Sequence, residues 1–289
     1  MIVRKALITA AAPDQHTLPL QQLVDRDGVD KTALQLLVEE VTSAGVDDIC
    51  VVIQPGDEAA YARAAGGEVG RITFLQQTEP RGYGDAILRA RKFVGDEPFL
   101  HLVGDHLYLT GSDRRCARQL IDVATQHECA VSAVQATREN KLPFFGAIGG
   151  RTVPQQTGLY EVTTVVEKPT PTEAEQSLII GGLRAGYYQC FFGMHVLTPS
   201  VIAILADLVE GSDSASKKVQ LSDALAVLAA RERYLALEVD GTRYNIGAKY
   251  GLLITQLALA LSGGDRDHIL SELVELLATG PTTSAAERP

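Results

Sequence analysis

The chain has 289 residues, which fits one large α/β domain or two smaller ones and is long enough to bury a substantial core. Its 46% apolar and 21% charged residues are typical of globular proteins. The formal net charge of −10 argues against a nucleic-acid polymer as the main partner, because such a partner requires a basic face that neutralises phosphates. A small anionic ligand in one locally basic pocket is still compatible with this charge.

Four scattered cysteines, Cys50, Cys116, Cys129 and Cys190, form no Cys-x-x-Cys pair. They are predicted to be buried reduced thiols, which indicates a cytoplasmic protein. The first apolar run, from Ala6 to Ala12, is too short for the apolar core of a signal peptide. No stretch approaches the ~20 apolar residues that a membrane span requires.

In the first half of the chain, apolar runs alternate with helical spacing. This order predicts a mostly parallel sheet with crossover helices. The predicted strands are 4–9, 48–53, 71–75, 99–103 and 129–135. The predicted helices are 31–44, 57–65, 86–93 and 113–127, with Asp30 as the N-cap of the first.

In the second half, strands joined by loops rich in Gly, Pro and Thr predict a mixed sheet with an inserted sugar-sized pocket. The predicted strands are 144–148, 159–166, 189–196 and 234–239, and the predicted helices are 199–208, 221–230, 249–261 and 266–278. We therefore expect an α/β domain over residues 1–263, a C-terminal helix over 264–278 and a disordered tail over 279–289.

The loop after the first predicted strand, residues 10–22, is the first candidate site. An apolar strand followed by small residues is how many α/β proteins build a phosphate site. Ala11 and Ala12 allow the backbone to come close to a ligand. A phosphate cradle would also need glycines and a cation, whereas residues 12–16 read Ala-Pro-Asp-Gln-His.

Two further loops of the first half follow predicted strands. Asp105 comes just after a buried strand, where a carboxylate either binds Mg²⁺ or caps the next turn. In the segment 76–85, Gly82 lets the backbone lie flat against a planar ring, and Gln77 offers an amide to a base edge. The alternative is that the glycines of this segment only form a turn.

The second half adds two more candidate segments. Glu167 and Lys168 end the strand 159–166, where a carboxylate suits sugar hydroxyls and an ammonium suits a phosphate. The alternative is a solvated pair before a proline turn. Asn245, in the segment 243–247, either contacts a ligand or caps the helix that follows.

The order and spacing of these segments are more specific than any one of them. The segments begin with Lys5-Ala-Leu-Ile-Thr-Ala-Ala, Gln77-Thr-Glu-Pro-Arg-Gly-Tyr-Gly-Asp-Ala and Val94-Gly-Asp-Glu-Pro-Phe with Val103-Gly-Asp. They continue with Val166-Glu-Lys-Pro, Val196-Leu-Thr-Pro, Val219-Gln-Leu-Ser-Asp-Ala-Leu and Arg243-Tyr-Asn-Ile-Gly. Together they resemble the sugar-1-phosphate nucleotidyltransferases, and most closely the bacterial UTP-glucose-1-phosphate uridylyltransferases, over about residues 3–261.

The resemblance implies a Rossmann-like nucleotidyltransferase fold with a mixed, mostly parallel sheet flanked by helices. It also implies a reaction in which a sugar 1-phosphate attacks the α-phosphate of a nucleoside triphosphate and releases pyrophosphate. Transfer of UMP from UTP to glucose 1-phosphate is the expected case, with Mg²⁺ as cofactor. The expected partners are these substrates or their nucleotide-sugar product, with no nucleic acid and no membrane.

Residue by residue, the resemblance assigns three groups of side chains. The nucleotide is expected at Ala11, Ala12, Gln77 and Gly82. The sugar phosphate is expected at Gly146, Glu167 and Lys168. The metal is expected at Asp105 and, more weakly, at Asn245, which stands where the family usually has a second metal-binding Asp. Asp105, Lys168 and Asn245 are thereby the predicted catalytic residues.

The first loop departs from the family pattern of Gly-x-Gly-Thr-Arg followed by Pro-Lys-Glu. Ala12, Asp14, Gln15 and His16 stand at the former positions, and the Pro-Lys-Glu segment is missing. Loss of one preorganised charge partner typically costs ~10² to 10³ in rate. Either a distant cation replaces the lost ones, the candidates being Arg26, Lys31 and Arg81, or the chain is a pseudoenzyme that binds a sugar nucleotide.

A further alternative is a scaffold that forms a homo-oligomer through the closing helices. These helices offer an apolar face that includes Leu252, Leu253, Leu257 and residues 270–277.

Overall fold

The computed structural model describes residues 1–211 and 218–279; the predicted tail, apart from Thr279, lies outside them. The strands of the described part are β1 (Lys5–Thr9), β2 (Gln22–Val24), β3 (Asp30–Thr32), β4 (Asp48–Ile53), β5 (Ile72–Gln76), β6 (Phe99–Val103), β7 (His106–Leu109), β8 (Ala130–Arg138), β9 (Ala147–Thr152), β10 (Leu159–Val166), β11 (Tyr187–Leu197), β12 (Tyr234–Glu238) and β13 (Thr242–Asn245).

The helices of the same residues are α1 (Ala33–Ser43), α2 (Glu58–Ala65), α3 (Tyr83–Arg89), α4 (Arg91–Val94), α5 (Cys116–His127), α6 (Pro171–Ser177), α7 (Pro199–Glu210), α8 (Leu221–Arg231), α9 (Gly251–Leu261) and α10 (Arg266–Thr279). Short 3-10 helices cover Leu18–Leu20, Gly66–Arg71 and Glu139–Phe144.

A mixed sheet with the order β5-β4-β1-β6-β11-β8-β12-β10-β9 forms the centre of the described residues. Strands β5, β4, β1 and β6 are parallel to one another, whereas β11 is antiparallel to both β6 and β8. The predicted mixed α/β architecture is confirmed, and its parallel part brings the carboxyl ends of β1 and β6 to the same edge.

Alternation along β1 explains why helices cover both faces of the sheet. Ala6 and Ile8 belong to the apolar cluster that contains α1 and α5, whereas Leu7 belongs to the cluster that contains α3, α7 and α8. All three side chains are fully buried. A strand that is covered on both faces reads as a continuous apolar run, which is why the sequence predicted it.

The structure corrects the start of the first helix. Residues 30–32 form β3, which pairs with β2 in a hairpin, so Asp30 is not the N-cap. Thr32 is the N-cap, and its hydroxyl accepts a hydrogen bond from the Gln35 amide at 3.1 Å in a capping box. The predicted boundary was wrong because Asp30 and Thr32 are both good caps by residue type.

Two other predicted elements change, and one strand is added. The helix predicted over 86–93 begins at Tyr83 and is interrupted at Ala90, which separates α3 from α4. The strand predicted at 144–148 is a 3-10 helix up to Phe144, followed by β9. Strand β7 was not predicted; it pairs with β13 in a separate two-stranded sheet.

All four cysteines are buried and free, as the sequence indicated. Within residues 1–211 and 218–279, no helix is long and apolar enough to cross a membrane.

Two histidines are buried in the middle of the sheet. His101 on β6 and His195 on β11 are cross-strand partners, with ring centroids 5.8 Å apart. The Thr9 hydroxyl lies 3.3 Å from His101 Nε2, and the Ser132 hydroxyl lies 2.6 Å from His195 Nδ1. Burial lowers the pKa of both imidazoles, that of His195 to about 3.

We expect this pair to make the stability fall with acid. An unfolded histidine has an ordinary pKa near 6.5, so below that pH the unfolded chain binds protons that the folded chain rejects. Stability is therefore complete above pH 6.5 and is lost as the pH falls toward the depressed pKa. Each histidine contributes a loss of about 2 kcal/mol between pH 6.5 and 5. Urea unfolding across this range measures the slope.

The variant His195→Gln should have a shallower slope than the parent protein. His268→Gln, a substitution on the exposed surface of α10, should leave the slope unchanged. Equal slopes for the parent and His195→Gln would contradict the assignment of the pH dependence to this pair.

Candidate functional site

The ends of β1 and β6 are joined directly. The Gly104 amide donates a hydrogen bond to the Thr9 carbonyl at 2.9 Å, so the backbone that leads to Asp105 lies against the start of the first loop. The end of β13 joins them, because the Ile246 amide donates to the Asp105 carbonyl at 2.9 Å. Three segments that the sequence singled out therefore meet at one edge of the sheet.

The Asp105 side chain places a negative charge at this edge of the sheet. Its Oδ1 lies 2.7 Å from His106 Nδ1. Burial alone would raise the pKa of the Asp105 carboxyl, but His106 and Arg243 outweigh it and hold that pKa below its ordinary value. The carboxylate is consequently ionised at neutral pH.

The donor atoms at this edge test the expected metal. Mg²⁺ usually binds one or two carboxylates together with substrate phosphates and waters. Asp105 fits that role, because only one of its two carboxylate oxygens is paired with another side chain. In the described residues no cluster of three or more His, Cys, Asp or Glu offers a complete protein-only site.

Asn245 does not fit the same role as it is held here. Its Oδ1 accepts hydrogen bonds from the amides of Gly247 at 2.8 Å and Ala248 at 3.1 Å, which occupies both oxygen lone pairs. Asn245 therefore caps the turn before α9 and not the helix itself, whose N-cap residue is Tyr250. Only the Asn245 Nδ2 group, a donor, is left for a ligand.

The altered first loop folds as a tight turn. The Ala12 carbonyl accepts hydrogen bonds from the amides of Gln15 and His16, at 3.0 and 2.9 Å. His16 Nδ1 lies 2.7 Å from an Asp57 oxygen, and the Tyr61 hydroxyl donates to the His16 carbonyl at 2.6 Å. His16 therefore binds α2 and its N-cap residue rather than replacing the family's phosphate-binding arginine.

The backbone of this loop still offers donors. Within the described residues, the N–H groups of Ala11 and Ala12 donate no hydrogen bond, although Ala11 is only 4% exposed. A buried backbone donor without a partner is uncommon in proteins and calls for a ligand or water. The first loop has thus lost the family's cations but keeps backbone donors for an anion.

The second loop is fixed by Gln77. Its Nε2 group donates to the Gly82 carbonyl at 3.2 Å and to the Asp85 carboxylate at 2.8 Å. Both amide hydrogens are therefore used within the loop, and only Oε1 can face a ligand. Gly82 has φ +113°, and a Cβ there would lie 2.6 Å from the Val219 carbonyl oxygen, so this position requires glycine.

The three residues expected at the sugar phosphate lie together. A Cβ on Gly146 would lie 2.9 Å from Glu167 Oε2 and 2.8 Å from the Phe191 ring. The Lys168 amide donates to the Phe145 carbonyl at 3.2 Å, while the Lys168 ammonium is exposed. Glycine at 146 is what keeps this space open beside the Glu167 carboxylate.

A cavity of about 140 Å³ adjoins this cluster. It is lined by Tyr83, Val103, His106, Phe144, Phe145, Gly146, Glu167, Phe191, Gly193, His195, Leu221, Ser222 and Leu225. The Ser222 hydroxyl is buried and has no hydrogen-bond partner within the described residues, which marks a polar atom that a ligand can satisfy.

Reasoning from the sequence missed Ser222, the aromatic lining and the contacts of Arg243. Ser222 lies at the start of an ordinary amphipathic helix, and the phenylalanines read as core residues. Arg243 stood in a segment that was singled out, but nothing in the sequence indicated what its side chain contacts.

These features define a mixed α/β protein with a candidate site at the carboxyl ends of parallel strands. The profile of the family described as Nucleotidyl transferase matches residues 21–249, so all but the last two residues of the first loop lie outside the match. The chain belongs to this family.

Two curated relatives extend the similarity to nearly the whole chain. A UTP-glucose-1-phosphate uridylyltransferase of Streptococcus pneumoniae serotype 4 is 31% identical over 305 residues, covering 95% of this chain and 96% of the relative. A UTP-glucose-1-phosphate uridylyltransferase 1 of Streptococcus pyogenes serotype M3 is 33% identical over 288 residues, covering 90% and 89%.

Solved structures confirm the expected fold. A UDP-glucose pyrophosphorylase complexed with UDP-glucose superposes with a TM-score of 0.72 at 23% identity, covering 89% of this chain and 98% of that one. A UTP-bound UGPase from Acinetobacter baumannii gives a TM-score of 0.72 at 20% identity, covering 96% and 100%.

We expect Tyr61→Phe to loosen the first loop. The change removes the hydrogen bond to the His16 carbonyl and should cost about 1 kcal/mol of unfolding free energy. It should also speed hydrogen exchange at the amides of Gln15 and His16. Tyr250→Phe, on an exposed ring, is the matched control. Unchanged exchange in Tyr61→Phe would show that this bond does not hold the loop.

Proposed function

We propose that this protein transfers UMP from UTP to glucose 1-phosphate, giving UDP-glucose and pyrophosphate. The observation that carries the proposal is the meeting of Asp105, the first loop and the end of β13 at one sheet edge, in a chain aligned along nearly its full length with uridylyltransferases. Family membership supports nucleotidyl transfer, and the names of the relatives support the particular substrates.

The nucleotide would bind between the first two loops. The free N–H groups of Ala11 and Ala12 suit the phosphates, since backbone donors bind anions without contributing a charge of their own. Gln77 Oε1 suits a donor on the base, and the flat backbone at Gly82 suits the face of the ring.

The sugar phosphate would bind at the cavity. The Glu167 carboxylate accepts from sugar hydroxyls, and Gly146 leaves room for the sugar beside it. The exposed ammonium of Lys168 then neutralises the phosphate. The unpartnered Ser222 hydroxyl offers one more hydrogen bond to the sugar.

The reaction needs position and charge rather than a covalent intermediate. A phosphate oxygen of glucose 1-phosphate attacks the α-phosphorus of UTP in line, forming one O–P bond as the bond to the β-phosphate bridging oxygen breaks. That oxygen takes the bonding electron pair, and pyrophosphate leaves. Asp105 would hold Mg²⁺, which when bound neutralises charge on the phosphates.

We further propose that residues 1–263 form the catalytic domain and that α10 is an addition to it. The free buried thiols support a reducing, cytoplasmic compartment. Association of copies through the closing helices stays a prediction; Leu253, Val274 and Leu277 on that face are more than half exposed.

The activity prediction uses pyrophosphate release from UTP and glucose 1-phosphate with Mg²⁺. We expect turnover by the parent protein and a loss of ~10² to 10³ in kcat for Asp105→Asn, which removes the charge but keeps the shape. The control Asp113→Asn, at an exposed position, should retain full activity.

No pyrophosphate release by the parent protein with any sugar phosphate or triphosphate would refute catalysis. Retained binding of UDP-glucose in that case would leave the alternative, a protein that only binds a sugar nucleotide. The missing cations of the first loop are the observation that keeps this alternative in the test.

A second prediction concerns the space beside Glu167. Gly146→Ala places a methyl group within contact distance of both the Phe191 ring and the Glu167 carboxylate, so affinity for UDP-glucose should fall at least tenfold. Gly111→Ala adds the same methyl group where no atom lies within 4 Å and should bind normally. Titration calorimetry compares the two variants; equal affinities would exclude Gly146 from the site.

A further inference from the structure

The lysines on either side of the first loop in the sequence, Lys5 and Lys31, form ion pairs with carboxylates. Lys5 Nζ lies 2.6 Å from a Glu97 oxygen. Lys31 Nζ lies 2.7 Å from an Asp25 oxygen and 2.5 Å from a Glu39 oxygen, so its positive charge is paired with two carboxylates.

The other two candidates for replacing the missing cations, Arg81 and Arg26, are also paired or lie in a separate cavity. Arg81 lies 2.6 Å from Glu79. Arg26 lines a separate cavity of about 310 Å³, where its neighbours include Asp25 and Asp27. The structure therefore gives none of the expected cations a free charge at the phosphate site.

Arg243 on β13 has a different environment. In the part of the chain that the structure describes, no carboxylate oxygen lies within 4.0 Å of its guanidinium, although the residue is half-buried. Its Nη1 group donates to the Phe191 carbonyl, and its Cζ lies 3.8 Å from the centroid of the Phe145 ring. A guanidinium has five N–H donors, so most of them are still without a protein partner.

The position of Arg243 links the two halves of the site. Phe145 and Phe191, the two residues that it contacts, line the cavity beside Gly146 and Glu167. β13, which carries Arg243, also leads to Asp105, because the Ile246 amide just after this strand donates a hydrogen bond to the Asp105 carbonyl at 2.9 Å. The guanidinium charge also helps to lower the pKa of Asp105. A sugar phosphate in the cavity that reaches a nucleotide at Asp105 would therefore come close to the strand that carries Arg243.

We propose that Arg243 binds the phosphate of the sugar 1-phosphate and supplies the positive charge that the first loop lacks. The inference rests on the proposed function, because that function places a sugar 1-phosphate at this cavity. A planar guanidinium stacked on an aromatic ring is held in one orientation, and its free N–H groups match two oxygens of a phosphate. The cation thus comes from a strand of the small second sheet.

Binding and kinetics of Arg243→Gln test the proposal. We expect about 10- to 100-fold weaker binding of glucose 1-phosphate and UDP-glucose, the range for charge-assisted hydrogen bonds to phosphate, with uridine binding unchanged. In turnover, KM for glucose 1-phosphate should rise more than KM for UTP. Arg243→Lys keeps the charge but not the fork and should recover part of the loss.

The matched control is Arg138→Gln. Arg138 also contacts an aromatic ring, that of Tyr187, but it is exposed, so its loss should change none of these values. Equal losses for uridine and UDP-glucose would identify Arg243 as a support of the fold and overturn the proposal.

A measurement on the unaltered protein covers the case in which the variants do not fold. Phenylglyoxal modifies accessible guanidinium groups, and peptide mass spectrometry locates them. Glucose 1-phosphate and UDP-glucose should protect Arg243 but not Arg138, and uridine should protect neither. Lack of protection of Arg243 by saturating UDP-glucose would overturn the proposal.

These results separate the two claims. Phosphate-dependent binding that requires Arg243, in a protein without turnover, supports the role of Arg243 in phosphate binding and refutes catalysis. Turnover with an unchanged KM for glucose 1-phosphate in Arg243→Gln supports catalysis and refutes the role of Arg243.

Discussion

The hydrogen bond from the Gly104 amide to the Thr9 carbonyl, 2.9 Å long, sets the geometry on which the site depends. It extends the parallel pairing of β1 and β6 beyond the strands, so the first loop and Asp105 leave the sheet side by side. The second contact, from the Ile246 amide to the Asp105 carbonyl, adds the end of β13. Because these are backbone contacts, changes of side chain in the first loop leave the arrangement of the segments intact.

The charged side chains of the site do not lie where the family pattern places them. The first loop provides backbone donors and an acidic residue, Asp14, but no cation, and His16 is held by Asp57. Asp105 instead has His106 on β7 and Arg243 on β13 to lower its pKa. The half-buried guanidinium of Arg243 is the charge that would attract a phosphate here, because the Asp105 carboxylate alone would repel one. The site can therefore be altered in one loop and still favour an anion.

The fold could be predicted because its strongest elements are locally determined. The run 49–53 is apolar throughout and lies in β4, which has the predicted bounds 48–53. Strand β10 also has its predicted bounds, 159–166. Strand β7 could not be predicted, because the strand with which it pairs, β13, lies more than 130 residues later in the chain. Asp30 and Thr32 were equally good caps by type, and only the hairpin of β2 and β3 decides between them.

The sequence predicted which residues lie together in the candidate site, but not which hydrogen bonds their side-chain atoms make. Gly146, Glu167 and Lys168 are brought together as the family resemblance implied, although their roles are still proposals. The sequence could not show that the Gln77 amide donates both of its hydrogens within the segment 76–85, or that the Asn245 oxygen caps a turn. Nor could it show an unpaired guanidinium at Arg243, since pairing depends on side chains from distant strands.

The most direct test of the account is a crystal structure of the complex with UDP-glucose. The account predicts a phosphate oxygen within about 3 Å of the Arg243 guanidinium, the uracil at Gly82 and the glucose beside Glu167. Phosphates bound only by the backbone of the first loop, with Arg243 still turned to the Phe191 carbonyl and out of reach, would contradict it.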